Sequence, residues 1–333
     1  MTKQQNKTLL ATLLWSILVV GLSLEGWSFY KFLTGSVSSV KTEQIVVIPK
    51  GVSTQKVINI LVDKQLIRDP VWFKWLLKYE GKASQIKAGE IEINPRWTVY
   101  QLIDALVKGK AVSYPVTIIA GETFQQTLDK LAKIKNISYD LGDNESIKKL
   151  FDIQTPLEGL LLPETYRYNS GDSAQTLLVR SHQDLVKLLA EQWQKRAKGL
   201  PLKSSYEALI LASIVEKETG IASERAIIAG VFINRLKIGM RLQTDPTVIY
   251  GMGDSYKGNI RKKDLRTYTP YNTYKIKGLP PTPISLASAE SIEAVMNPAK
   301  TKALYFVANG KGGHTFSNTL IEHNRAVRRF LKR

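Results

Sequence analysis

The chain has 333 residues, 44% of them hydrophobic and 23% charged, which allows two ordinary domains and excludes wholesale disorder, collagen and coiled coil. Lys and Arg total 47 against 29 Asp and Glu, and the formal charge of +18 calls for a polyanionic neighbour, either nucleic acid or an anionic membrane or wall. With no cysteine and 3 histidines, thiol catalysis, disulfides and iron–sulfur clusters are excluded and neither a metal site nor a cofactor is expected, so any chemistry rests on carboxylates, hydroxyls, amides or Lys.

In chain order, the first landmark is the uncharged run from Leu9 to Leu24. Its length as a helix is roughly 24 Å, short of a ~30 Å hydrocarbon core. The apolar pattern continues through Trp27, Phe29, Tyr30, Phe32 and Leu33, broken only by Glu25. Trp27 and Tyr30 fall where an interfacial aromatic belt would lie, and Glu25 could snorkel. Residues 1–34 are therefore expected to form a cytoplasmic tip and a single-pass transmembrane anchor. Lys3 and Lys7 precede the run without an acid, so the positive-inside rule keeps the N-terminus in the cytoplasm and sends the rest across. A cleaved signal peptide, with Ser36-Val37-Ser38 as its nearest cleavage site, and a buried core helix are the rival readings. The absence of cysteine in an exported chain fits a bacterial envelope protein. Outside the cytoplasm no nucleic acid is available to the positive charge, which leaves anionic lipid and wall polymers.

Residues 35–44 read as a linker. The run Ile45-Val46-Val47-Ile48 predicts a strand, followed by Ser53 as N-cap of a helix carrying Val57, Ile58, Leu61 and Val62. Val71, Trp72, Trp75, Leu76 and Leu77 suggest a second helix, and Glu90-Ile91-Glu92-Ile93 a second strand. Pro95 and Thr98 open a helix ended by Gly109, and Val112 to Ile119 predicts another strand. The order strand, helix, helix, strand resembles the LysM-like module, a βααβ unit that lies on amino-sugar polymers; a packing subdomain is the alternative. The unit is placed at 45–115 and a larger mixed α/β domain at 116–333, an α+β chain overall.

Thr123 to Leu131 and Ser173 to Ala197 are helical by pattern, separated by the apolar loop Leu157-Glu158-Gly159-Leu160-Leu161-Leu162-Pro163-Glu164-Thr165-Tyr166. The last third is rich in Gly, Pro, Tyr, Asn and Thr loops, the places where a scaffold carries its sites.

Ser205 to Thr219 predicts a helix. On a helical wheel Glu218 falls inside the apolar arc of Leu211, Ile214 and Val215, whereas Glu216 and Lys217 fall away from it, nearer water. The two glutamates leave the helix on opposite sides and cannot form one carboxylate pair. Glu218 is thus the acid whose charged form would be desolvated, which suits a general acid. A last-turn acid paired with Arg225 or a backbone N–H is the plain alternative. Gly220 is expected to end the helix and Ser223 to cap the next, striped by Ile227, Ile228, Val231, Phe232 and Leu236. Downstream, amides, hydroxyls and His314 stand among aromatics, a mixture that suits a sugar. Asp245-Pro246 by itself reads as a turn.

Leu211 to Thr219, Ser223-Glu224-Arg225, Val231 to Leu236 and Leu242-Gln243-Thr244-Asp245-Pro246-Thr247-Val248-Ile249-Tyr250-Gly251 resemble the signature of the endolytic murein transglycosylases, the MltG/YceG-like family. The likeness continues through Tyr271-Asn272-Thr273-Tyr274, Gly278 to Pro281, Asn297-Pro298, Leu304 to Ala308 and Gly312-Gly313-His314-Thr315-Phe316. The linker and residues 130–155 match poorly.

The resemblance implies a carbon–oxygen lyase that cuts the β-1,4 bond between N-acetylmuramic acid and N-acetylglucosamine inside peptidoglycan glycan strands and leaves 1,6-anhydro ends, terminating nascent strands beside the wall synthases. The family's catalytic acid, the second Glu of E-K-E-T, corresponds to Glu218. Gln243, Asn272, Tyr274 and Thr315 are the candidate sugar contacts, and Asp245 is expected to orient a loop or hydroxyl rather than attack. The implied location is the bacterial cytoplasmic (inner) membrane, with the catalytic domain extracytoplasmic (periplasmic). The competing readings are a muramidase using water as acceptor, a non-catalytic membrane-tethered wall-binding or scaffolding protein, and a nucleic-acid binder.

Overall fold

A computed structural model describes the backbone of residues 3–40, 42–49, 51–109 and 112–331, and the side chains of these except 3–14 and 17. The chain divides into two compact units, residues 1–114 with 169–171, and residues 115–168 with 172–333.

The first unit begins with the long helix α1 (Lys3–Thr34). Among the described residues no helix is long and apolar enough to cross a membrane. The first part of the Leu9–Leu24 run, and the Lys3 and Lys7 side chains on which the orientation rests, lie outside the described side chains. Beyond them, Trp15, Leu18, Val19, Val20, Leu22 and Leu24 are exposed. The far end of α1 differs from the expectation of a continuing apolar span. There Phe29 packs on Trp72 and Trp75, with centroids 4.8 and 5.8 Å away, and Phe32 and Leu33 join the core of the unit.

The expected linker is not a free tether either. Val37 and Ser38 are buried, and the amides of Val37 and Ser39 donate to Trp97 O and Gln65 O. A valine and a short hydroxyl can fill such a seam, which a composition-based reading does not reveal.

The order that follows is β1 (Gln44–Ile48), α2 (Thr54–Asp63), α3 (Pro70–Tyr79) and β2 (Gly89–Ile93). β1 and β2 run antiparallel with Val46 opposite Ile91, so Val46, Ile48, Ile91 and Ile93 form one apolar face. The helices lay Val57, Ile58, Leu61, Phe73, Leu76 and Leu77 on that face. Helix α4 (Val99–Lys108) completes the same core with Leu102, Ile103 and Leu106, so the unit is a βααβ arrangement closed by a third helix. Ser53 caps α2, Thr98 caps α4 through a capping box, and Gly109 ends α4 at φ 63°, as the sequence predicts.

The second unit holds β3 (Ser113–Thr117) from residue 115 on, α5 (Phe124–Leu131), β4 (Ile137–Ser138), α6 (Asn144–Phe151), β5 (Thr165–Asn169) up to residue 168, β6 (Asp172–Ser173), α7 (Ala174–Gln194), α8 (Ser205–Glu218), α9 (Ala222–Lys237), α10 (Asp245–Met252), α11 (Lys262–Arg266), α12 (Ala289–Met296), β7 (Tyr305–Ala308), β8 (His314–Ser317) and α13 (Leu320–Leu331). Among the described residues the strands pair only two by two, so the expected mixed α/β domain is a helical body carrying short strand pairs.

Its centre is α8, whose residues from Ala208 to Val215 are all buried. Ala208, Ala212 and Ser213 are small enough for neighbours to approach, and α7, α9, α10 and α12 pack around them. The segment 283–288 is tied to α8, since Ser213 Oγ accepts from Ile284 N at 3.0 Å and Ser285 Oγ donates to Ser213 O at 3.2 Å. Gly159, at φ 79°, fits against this segment because a Cβ there would lie 2.4 Å from Pro283 Cβ.

Candidate active site

Helix α8 starts at the Ser204 cap and stops at Glu218 because Thr219 is extended at φ −149°. The helix thus stops one residue before the expected Gly220, at the extended Thr219. Ser223 lies inside α9, whose N-cap is Ile221 without a side-chain cap bond. The Thr219 hydroxyl accepts Ile221 N at 3.0 Å and shapes the turn instead.

Glu218 sits at this turn half-buried. Its partner is the hydroxyl of Thr244, which donates to Oε1; it is not Arg225. Burial pushes the Glu218 pKa above the usual carboxylate value, and the negative charge of Asp245 adds to that, while the Thr244 hydroxyl and the positive ends of His314 and Arg235 pull the other way. The net direction is upward, so the carboxyl keeps its proton to a higher pH than an ordinary glutamate does.

Thr244 is held in place by a second loop. Its amide donates to Thr273 Oγ1 at 3.0 Å, Gln243 N donates to Thr273 O at 3.2 Å, and the Thr247 and Thr273 hydroxyls are 2.8 Å apart. Gln243 adopts φ 49°, the left-handed region, which turns the chain just before Thr244. From beneath, the buried Arg235 on α9 donates to Leu242 O and, at 2.7 Å, to Leu304 O, with its guanidinium 5.5 Å from the Tyr305 ring. Asp245-Pro246, expected as a turn, opens helix α10.

The expected contacts are distributed as follows. Asp245 is exposed and accepts the Tyr274 hydroxyl at 2.7 Å, so these two side chains flank Glu218 as a pair, and burial with the Asp245 bond pushes the Tyr274 pKa up. The Gln243 side chain is exposed beside Thr244. Asn272 is a correction: it is buried, and its Nδ2 donates to the carbonyls of Asp264, Leu265 and Thr267 while its Oδ1 accepts Tyr274 N. Its amide is spent on holding the loop and is not free for a sugar. Thr315 is exposed on β8 and, by strand alternation, faces opposite to His314. It is His314, not Thr315, that enters the electrostatic surroundings of Glu218.

Glu216 also departs from expectation. It is not turned to water: its Oε2 accepts Ser288 N at 3.0 Å, Ser291 Oγ at 2.7 Å and the Ser288 hydroxyl, anchoring the start of α12. The two glutamates leave α8 for different sites, so Glu216 does not pair with Glu218, and the acid nearest in charge to Glu218 is Asp245.

Sequence reasoning passed over Thr244, Arg235, Glu224 and Glu158. Glu224 accepts His314 N at 2.8 Å and His314 Nδ1 at 2.7 Å, which ties the β7–β8 ribbon to the start of α9. Burial alone would raise the Glu224 pKa, but the bonds from His314 bring it below the usual value. Glu158, raised by burial, accepts Phe124 N, Gly159 N and the Tyr250 hydroxyl, and Tyr250 packs on Tyr271. Glu218 carried its signal on its own helix, whereas Thr244, 26 residues away, entered only as part of the motif at 242–251, with no pattern to link the two.

A YceG-like family model matches residues 46–329. A relative from Bacillus subtilis (strain 168), named endolytic murein transglycosylase, is 33% identical over 311 residues, covering 87% of this chain and 86% of its own length. A relative of the same name from Streptococcus pneumoniae serotype 2 is 27% identical over 347 residues, and the match covers 92% of this chain and 62% of that relative's length. The crystal structure of a YceG-like protein from Listeria monocytogenes superposes with a TM-score of 0.53 at 34% identity, over 86% of this chain and 99% of that one.

Proposed function

This chain belongs to the YceG-like family, and from that premise we propose that it is a peptidoglycan lytic transglycosylase in which Glu218 serves first as acid and then as base. The observation that carries the reading is the desolvated Glu218 carboxyl on the Thr244 hydroxyl, with no second carboxylate from α8 beside it.

The neutral carboxyl donates its proton to the glycosidic oxygen between N-acetylmuramic acid and N-acetylglucosamine, and the bond from that oxygen to the anomeric carbon breaks. The resulting carboxylate takes the proton of the muramic 6-hydroxyl as that oxygen closes on the anomeric carbon, giving the 1,6-anhydro end. One group that changes role balances both steps. The carboxylate left after the first transfer is steadied by the Thr244 hydroxyl and by the positive charge of Arg235. Asp245 is engaged by Tyr274 and orients that hydroxyl rather than attacking carbon. The Tyr-rich loops around Tyr250, Tyr271 and Tyr274 are placed to keep water from the anomeric centre.

The enzyme works from the outer face of the bacterial cytoplasmic membrane, anchored by α1 and cutting strands as the wall synthases extend them. The exposed apolar side chains from Trp15 to Leu24 and the positive charge of the chain support that placement. The βααβ arrangement of the first unit supports a LysM-like contact with glycan.

The test is digestion of purified glycan strands by the full-length protein in detergent. Anhydro ends, lighter by one water than reducing ends, are expected from the wild type, and Glu218→Gln should lower the rate by about 10²–10⁴-fold. Reducing ends would identify a muramidase. Full activity of the variant would assign the chemistry to another acid.

A further inference from the structure

The second unit carries a cavity of about 500 Å³ between the chain after α7, one face of α9 and the strap 298–302. None of the residues around Glu218 lines it. Lys198, Lys237, Lys300 and Lys302 line it, all exposed, and no Asp or Glu does. Among the described residues none of the four lysines takes part in an ion pair or a side-chain hydrogen bond.

The wall is built rather than loose. Gly230 lets the strap lie against α9, since a Cβ there would stand 2.7 Å from Ala299 O and 2.9 Å from Thr301 Cγ2. Asn234 Nδ2 donates to Thr301 O at 2.8 Å and to Ala303 O at 3.1 Å, and Ala299 N donates to Ala226 O. Two of the lysines, Lys300 and Lys302, are therefore presented on a backbone pinned at both ends. Four ammonium groups around one concavity repel one another unless an anion enters. The ammonium is a compact point charge with three donors, a better match to concentrated phosphate oxygens than to a spread of isolated carboxylates.

We propose that this cavity is a binding site for phosphate groups presented in series, whether on a soluble phosphodiester or polyphosphate chain or on a lipid headgroup. The site is separate from the glycan-cutting carboxyl, and it would hold the catalytic unit against a phosphate-bearing surface or polymer.

The experiment uses full-length protein in neutral detergent and compares the wild type with two fourfold variants. One is Lys198→Gln, Lys237→Gln, Lys300→Gln and Lys302→Gln; the other neutralises Lys133, Lys187, Lys262 and Lys263, which lie elsewhere on the same unit and are exposed. Affinity is measured for inorganic polyphosphate, for short-chain phosphatidylglycerol and for polyglutamate, with glycan cleavage as the check on folding. The expected result is a loss of polyphosphate affinity of about tenfold or more in the cavity variant and about twofold or less in the other, with cleavage unchanged. A matching loss for phosphatidylglycerol identifies a lipid headgroup as the source, and its absence a soluble polymer. An equal loss in both variants would reduce the effect to net charge, and no loss in the cavity variant would remove the site; either overturns the proposal. Polyglutamate binding that equals polyphosphate binding and falls with it in the cavity variant would overturn the phosphate assignment.

Discussion

The hydroxyl of Thr244 donates to Oε1 of Glu218, joining the residue that precedes α10 to the last residue of α8. A donor favours the charged form of a carboxyl, so this bond opposes the upward push of burial and limits how weak an acid Glu218 becomes. Thr244→Val keeps the shape and removes the donor. Its pH–rate profile should keep activity to higher pH on the alkaline limb, because the neutral acid persists further. The maximal rate should fall by about tenfold, the usual worth of a hydrogen bond to a charged group.

Glu218→Gln should make the protein more stable at neutral pH while it removes activity. The folded-state pKa of Glu218 lies above its ordinary value of 4.5, so the folded state binds more protons than the unfolded one between those two points, and stability declines as pH rises through that window. Glutamine avoids the cost. Melting curves of wild type and variant should coincide below pH 4.5, separate as pH rises from 4.5 to the raised value, and stay a constant interval apart above it. A variant less stable than wild type at every pH would contradict the desolvation account.

Asn272→Ala tests whether this residue serves the loop or the sugar. Losing an amide bonded to three carbonyls should cost about 2–3 kcal/mol, visible in chemical denaturation. Glycan affinity of the folded fraction should stay within about twofold of wild type. A large loss of affinity at unchanged stability would restore the sugar-contact reading.

Glu216→Ala removes the acceptor of Ser288 N and of the Ser288 and Ser291 hydroxyls at the start of α12. The expected cost is about 2 kcal/mol, a melting temperature several degrees lower, with the product still an anhydro end. Circular dichroism melts and mass spectrometry of the products check the two halves.

The first unit was legible in the sequence because its signals are local. The alternating run at Val46 and Ile48, the caps at Ser53 and Thr98 and the stop at Gly109 each act within a few residues. In the candidate site the sequence pointed to Glu218, Asp245 and Tyr274, which the structure brings together, but the helical face used to single out Glu218 does not exist: α8 is enclosed on every side from Ala208 to Val215, and Glu216 is bonded to α12 rather than solvated. What separates the two glutamates is which neighbour each one meets. Thr244, Arg235 and His314 come to Glu218 from later in the chain, and no periodicity within a segment encodes such meetings. Asn272 misled because an amide that suits a sugar also suits three bare carbonyls.

The enclosure of α8 bears on how the protein loses function under stress. Backbone amides from Ala208 to Val215 can exchange with solvent only when the surrounding helices separate, so they should be among the slowest in deuterium uptake. Glu218 lies three residues beyond that stretch, at the end of the same helix. Mild heat should therefore leave turnover intact until the whole helical body opens, and inactivation and global melting should follow the same curve.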